Sequence, residues 1–314
     1  MGDRARTLAI VVVLVVLAAV PPVAALLGQP FYLDLVRRIM IFAIAALSLN
    51  LILGYGGLVS FGHAAYLGIG AYAVGILAHH GIHDGFLQFA VAIVASAAIA
   101  LVIGTVSIRT SGVYFIMITL AFTQMLFYLG ISLEEYGGDD GMRLAARSQF
   151  AGLLDLRSPT PFYYFVLAIL AGCLYLVHRL VNSRFGMVIR AAKSNEARTR
   201  AIGFSPYAYR LAAFVIAGAM CGVAGALLVN QTAYLTPEFM NWTRSGEIMF
   251  MVILGGIATL IGPVLGAAAL LLLEDFLAAW TTHWQIILGP ILVLVVLLTR
   301  RGLSGLLPGS GRNE

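Results

Sequence analysis

The chain has 314 residues, of which 61% are apolar and 11% charged, with a formal net charge of +5 and a mean hydropathy of +0.96. An ordinary soluble domain carries roughly 25% charged residues, so the composition excludes a cytosolic enzyme, a nucleic-acid binder and a disordered scaffold. At about 20 residues per spanning helix, the apolar content predicts an all-α, polytopic transmembrane bundle of about ten segments (eight to ten), forming one domain over residues 1–314.

Arg4 and Arg6 precede the first apolar run, 8–27. It resembles a secretory signal, but further apolar runs follow at once, so it reads as an uncleaved first span. Further runs lie at 39–53, 59–78, 86–108, 113–131, 161–177 and 211–229. The stretch 248–299 holds three shorter runs, which is tight for three full spans, so one of them is expected to be short, tilted or re-entrant. Cys173 and Cys221 sit inside apolar runs and imply buried thiols rather than a disulfide framework.

Lys and Arg are retained on the cytoplasmic side, and the densest basic segment carries Arg179, Arg184, Arg190, Lys193, Arg198, Arg200 and Arg210 against the single acid Glu196. Placing that segment inside, with ten crossings, puts both termini, Arg109 and the tail bearing Arg300, Arg301 and Arg312 in the cytoplasm. The inner side then holds 13 basic and 3 acidic residues and the outer side 6 and 11, which reproduces the net +5. On this topology residues 132–160 form an extracytoplasmic loop and 182–210 a cytoplasmic one.

Seven glycines fall between Gly54 and Gly75. Each costs a helix roughly 1 kcal/mol relative to alanine, and two explanations stay open. Small residues let helices approach closely in lipid, and Ala64 with Gly68, Gly218 with Gly222, and Gly262 with Gly266 have the four-residue spacing of such a face. The other explanation is a broken helix along a solute path, since irregular backbone at membrane depth needs protein or a watery cavity around it. A weak internal likeness, Ile52-Leu53-Gly54 onward against Ile253-Leu254-Gly255-Gly256 onward, points the same way. Asn50, Gly54, Gly57, His63 and Gly68 are the expected neighbours of that path.

Chemistry for an enzyme is not in view. The middles of the seven clear runs hold no Asp, Glu, Lys or Arg, which argues against ion coupling, and Glu247, Glu274 and Asp275 fall near expected segment ends. The mid-span polar residues Ser48, Asn50, His63, Thr119, Thr123, Gln124 and Asn230 are mild and are expected mainly to bond helix to helix. His79, His80, His83 and Asp84 have metal-like spacing, and His79 to Asp84 also fits an acyltransferase pattern, but a short outer turn with no second cluster is the simpler reading. Asp139 and Asp140, within Gly137-Gly138-Asp139-Asp140-Gly141, offer too few oxygens for calcium and read as a tight turn. No catalytic residue, metal site or cofactor is therefore expected. Lys193 is the only lysine and follows Ala192, so a G-x-x-x-x-G-K-[ST] phosphate loop cannot be formed. ATP, if used, is hydrolysed by another chain.

The strongest signal is the segment from Ser183 to Pro206. Asn195 or Ser194 can cap a short helix, Glu196 suits its first turn and pairs in the favourable order with Arg200, and Gly203 and Pro206 stop it. With Ala197 and Ala201 on a small face, this is either a rigid lever for a partner's groove or a basic helix on anionic lipid headgroups.

Several motifs, in order along the chain, now bear on that choice. Ser48-Leu49-Asn50-Leu51-Ile52-Leu53-Gly54-Tyr55-Gly56-Gly57 with Ser60-Phe61-Gly62-His63-Ala64-Ala65 resembles the early signature of branched-chain amino acid ABC transporter permeases of the LivM type. Gly112-Val113-Tyr114-Phe115, Thr119-Leu120-Ala121-Phe122 and Gly137-Gly138-Asp139-Asp140-Gly141 are similar to that family too. The run Asn182-Ser183-Arg184-Phe185-Gly186, then Asn195-Glu196-Ala197 and Ala201-Ile202-Gly203, resembles its coupling segment, and Leu254-Gly255-Gly256 with Gly262-Pro263-Val264-Leu265-Gly266 completes the set. Tyr136 and Arg198 depart from the usual Thr and Ala.

The resemblance implies a permease subunit of an importer of the type II kind in a bacterial inner membrane. It implies two ATPase subunits, a second permease that is itself homologous, an extracytoplasmic solute-binding protein and surrounding lipid. Asn195, Glu196, Ala197, Arg198, Arg200, Ile202 and Gly203 are then the expected ATPase-coupling residues. A urea or short-chain amide importer is the near alternative, and a gradient-driven carrier or channel the further one.

Overall fold

In the computed structural model, residues 3–28, 31–144, 146–150, 154–156, 158–298 and 302–306 are described; Arg300, Arg301 and Arg312 of the expected inner tail lie outside them. Twelve α-helices follow in chain order: α1 Asp3–Leu27, α2 Phe31–Asn50, α3 His63–His79, α4 Gly85–Ser107, α5 Val113–Ser132, α6 Pro159–Asn182, α7 Arg184–Ser194, α8 Glu196–Ala201, α9 Pro206–Thr232, α10 Trp242–Gly255, α11 Gly262–Trp280 and α12 Trp284–Leu298. A π-turn, Leu51–Tyr55, prolongs α2. Four two-residue strands, β1 Met142–Arg143, β2 Gln149–Phe150, β3 Leu154–Asp155 and β4 Tyr234–Leu235, form the antiparallel pairs β1–β4 and β2–β3. Helix starts follow local chemistry: Asp84 accepts from the Phe86 N–H to cap α4, and Pro159, Pro206 and Pro263 stand in the first turns of α6, α9 and α11, where a missing N–H costs nothing.

Each of the ten apolar runs contains a helix among its described residues, residues 59–62 of the third run being irregular, but not all of these helices are long. Among the described residues, six helices are long and apolar enough to cross a membrane: α2 with its π-turn, α4, α5, α6, α9 and α11. The apolar parts of α1 (Ile10–Leu26) and α12 (Trp284–Val295) are shorter, α3 has 17 residues and α10 has 14. At 1.5 Å per residue, α10 cannot cover a hydrocarbon core about 30 Å thick. Length and composition alone thus identify six crossing helices and do not establish the expected ten, and α10 is short, as expected of one segment in the last third.

The most buried helix is α2: 89% of its apolar window lies inside the protein, against 72% for α9 and 22% for α5. Around this centre the helices approach where glycine removes the side chain. A Cβ at Gly70 would collide with the Gly222 carbonyl, one at Gly225 with the Leu67 carbonyl, and one at Gly266 with the Met251 carbonyl. The close-packing explanation of the glycines therefore holds for α3 against α9 and for α10 against α11.

Charge enters the helices further than the apolar runs indicate. α2 starts eight residues before its run, taking in Asp34, Arg37 and Arg38. Arg37 is buried, pairs with Asp34 and lies 4.5 Å over the Phe162 ring. Arg38 reaches Glu274 at 3.6 Å and Asp275 at 4.0 Å, and Arg244 bonds Glu247 at 2.7 Å. Glu274 and Asp275 lie within α11, which continues to Trp280, rather than at its end. Pairing, which lowers the cost of a charge at membrane depth, lets the helices extend past the apolar run.

Candidate functional site

After Asn50 the backbone of α2 widens into the π-turn and then runs without helix to Gly62. The Leu58 N–H reaches back to the Ile52 carbonyl at 2.9 Å, and Gly57 takes φ +71, a conformation that glycine adopts at little cost. Such π-turns are rare and frequent at functional positions. Hydroxyls from two other helices hold the freed backbone. The Phe61 N–H donates to Thr119 Oγ1 at 3.2 Å, and the Phe61 carbonyl accepts from Thr123 Oγ1 at 3.0 Å and Ser245 Oγ at 2.7 Å. Ser245 Oγ also accepts from the Ala64 N–H at 2.9 Å. The irregular segment is thus met by α5 and α10 and not left to lipid.

The five expected path residues divide into two groups. Asn50 is buried; its Nδ2 donates to the Thr259 carbonyl at 2.7 Å and its Oδ1 accepts from the Ala258 N–H at 3.0 Å. A Cβ on Gly54 would collide with that Oδ1 and press on the Ala258 backbone. Asn50 and Gly54 therefore form one contact with the turn 256–261 between α10 and α11, and the two stretches with the internal likeness sit against each other. Gly57 faces the alkyl stem of Lys193. Across the break, His63 is fully buried, with neither ring nitrogen hydrogen-bonded and its ring edge-on to Tyr66 at 5.7 Å. Gly68 faces Met240, whose side chain occupies the place of a Cβ. Among the other mid-span polar residues, Asn230 Oδ1 accepts from the Ser148 N–H at 2.8 Å, while Ser48 Oγ donates back to the Ala45 carbonyl at 2.7 Å.

The basic segment folds as the helix pair α7–α8. Asn195, not Ser194, caps α8, accepting from the Arg198 N–H at 2.9 Å. Glu196 bonds Arg200 at 2.5 Å and, across to α9, Arg210 at 2.7 Å. Partial burial raises the Glu196 pKa, but Arg210 and Arg200 outweigh it and hold the carboxyl below the ordinary glutamate value. Gly203 takes φ +90 and closes the helix, its N–H donating to the Arg200 carbonyl at 2.9 Å. Thr199 faces inward, whereas Ala197, Arg198, Ile202 and Phe204 are exposed. Ile202 shows 65% of its surface. The helix is thus capped, tethered to α9, and directs Ala197, Arg198 and Ile202 outward.

Two parts of this arrangement are absent from the sequence reading. The helix α7 carries Phe185, Val188, Ile189 and Ala192 on its inner side, a spacing of three and four residues that signals an amphipathic helix. Ser245 and the reach of Lys193 to Gly54 have no local signal, because their partners are far away in the chain. In the connections between helices, Asp84 is engaged as the α4 cap, and Gly137, Gly138 and Gly141 all take positive φ, as a tight turn requires.

Comparison with known proteins places these features in a family. The sequence profile described as branched-chain amino acid transport system / permease component matches residues 31–297. The chain is 26% identical to the high-affinity branched-chain amino acid transport system permease protein LivM of Escherichia coli, over 96% of this chain and 76% of that one. It is 26% identical to the LivM protein of Salmonella typhimurium, over 86% and 69%, and 23% identical to the LivH permease of Escherichia coli, over 84% and 91%. No solved structure matches.

Proposed function

Because the chain belongs to the family of branched-chain amino acid transport system permease components, we propose that it is one membrane subunit of an ATP-driven importer carrying branched-chain amino acids across a bacterial inner membrane. The relatives' names supply the substrate class and favour it over urea or short amides. Two separate ATPase subunits hydrolyse the ATP, a second, homologous permease completes the path, and an extracytoplasmic protein delivers the solute. Both termini and residues 182–210 face the cytoplasm, residues 132–160 face outward, and the shorter helices α1, α3, α10 and α12 complete ten membrane segments.

The observation that carries the reading is the α8 helix: capped by Asn195, tied to α9 through Glu196 and Arg210, and presenting Ala197, Arg198 and Ile202 outward. Exposed apolar side chains on a rigid, tethered helix suit docking in an ATPase groove. Closure of the ATPases then moves α7–α8 and rocks the helices around the break at 51–62, with Asn50, Gly54, Gly57, His63 and Gly68 beside the path. The test is uptake of leucine, isoleucine or valine by vesicles holding the complete complex. Replacing Glu196 by Ala and Gly203 by Val is expected to lower transported amino acid per ATP at least about 5-fold with expression intact. Unaltered coupled uptake would refute the docking role.

A further inference from the structure

We propose that Lys193 is the positioning residue that carries motion of the α7–α8 pair to the broken end of α2 and onward to the α10–α11 turn. The inference rests on the coupling role of α8 and names the path by which coupling leaves it.

The path is continuous in hydrogen bonds. Glu196 on α8 holds Arg210 on α9 at 2.7 Å, and Arg210 Nη2 donates to the Ala192 carbonyl on α7 at 3.1 Å. The next residue is Lys193, whose Nζ donates to the Gly54 carbonyl at 2.7 Å, 139 positions away in the chain. Gly54 is in the π-turn, where Leu58 bonds Ile52, so the donor to the Gly54 carbonyl comes from another helix. One helical turn earlier, Asn50 bonds both Ala258 and Thr259. Motion at α8 therefore has a bonded route to the π-turn of the broken segment and to the 256–261 turn packed on it.

The fit around Lys193 is specific to a thin side chain. Its Cγ lies 2.9 Å from where a Cβ on Gly57 would stand, and its Cδ 3.2 Å away. Gly57 thus leaves a notch for the stem, and Gly54 supplies the acceptor at its end. The ammonium is a charge-assisted donor, shorter and stronger than a neutral one. It grips a main-chain carbonyl, so displacement of α7 is imposed on the backbone of α2 itself. Lys193 is the only lysine in the chain.

The experiment compares wild type with Lys193→Arg, Lys193→Gln and Lys193→Met in the complete complex, reconstituted with its ATPases, partner permease and binding protein. Leucine transported and ATP hydrolysed are read together, per amount of assembled complex. Transport per ATP is expected to stay near wild type in Lys193→Arg, fall in Lys193→Gln, and fall at least about 5-fold in Lys193→Met, while ATP turnover changes less than about 2-fold. If Lys193→Met does not assemble, the Arg and Gln variants decide the ranking. Equal ratios across the assembled variants would overturn the proposal. Glu196→Ala separates the two levels: if it uncouples while the Lys193 variants do not, the Lys193 route is wrong and coupling through α8 stands. If neither uncouples, coupling through α8 fails as well.

Discussion

Gly225 on α9 and Gly172 on α6 are both helical glycines within apolar segments, yet they are under opposite demands. A Cβ at Gly225 would collide with the Leu67 carbonyl of α3, whereas nothing lies within 4 Å of one at Gly172. The first collision is with backbone, which cannot rotate away as a flexible side chain does. Gly225→Ala is therefore expected to destabilise by about 1–3 kcal/mol through overpacking, and Gly172→Ala to be neutral or stabilising by up to about 1 kcal/mol through helix propensity. Unfolding of the purified protein in mixed micelles checks this, and similar effects at both positions would remove the close-approach explanation. Spacing alone, as at Gly218 and Gly222, showed that a smooth face exists. It could not say which helix lies against it.

At the scale of elements, the broken α2 and the α10–α11 turn stabilise one another. Ala258 takes φ +61 without being glycine, a conformation disfavoured for a residue with a Cβ and held here by Asn50. Asn50→Ala leaves the Ala258 N–H and the Thr259 carbonyl without this partner, each loss worth about 1–3 kcal/mol. Hydrogen exchange at 256–261 is expected to accelerate while exchange in α6 does not change; protection equal to wild type would show that the turn stands without the clamp. The ends of α8 were legible because cap, ion pair and glycine stop act within a few residues of one another. The helix α7 was legible in principle from Val188, Ile189 and Ala192. The Asn50 clamp was not, because it joins positions 208 and 209 apart.

Across the whole molecule the charge asymmetry implies an orientation, with the α7–α8 pair inside and the 137–141 turn outside. With Cys173 and Cys221 replaced, a cysteine in place of Arg198 is expected to react with an impermeant maleimide only from the cytoplasmic side, and one in place of Asp139 only from the outer side. Labelling of both from one side would overturn the ten-segment topology. Arg38 pairs with Glu274 and Asp275, and Arg244 with Glu247, so α2, α10 and α11 carry these charges as matched partners. Apolar runs are broken by such residues, which is why α2 begins earlier than its run alone implies.

Membrane residence, helical class and the capped basic helix were all determined by the sequence itself. Each depends on composition or on residues within a turn or two of one another. Tertiary structure alone decided that Asn50 grips a distant turn and that hydroxyls of Thr119, Thr123 and Ser245 hold the break. Lipid gives helices little hydrophobic reason to associate, so their arrangement is set by where backbones can approach and where polar groups find partners, and those partners are remote in the chain.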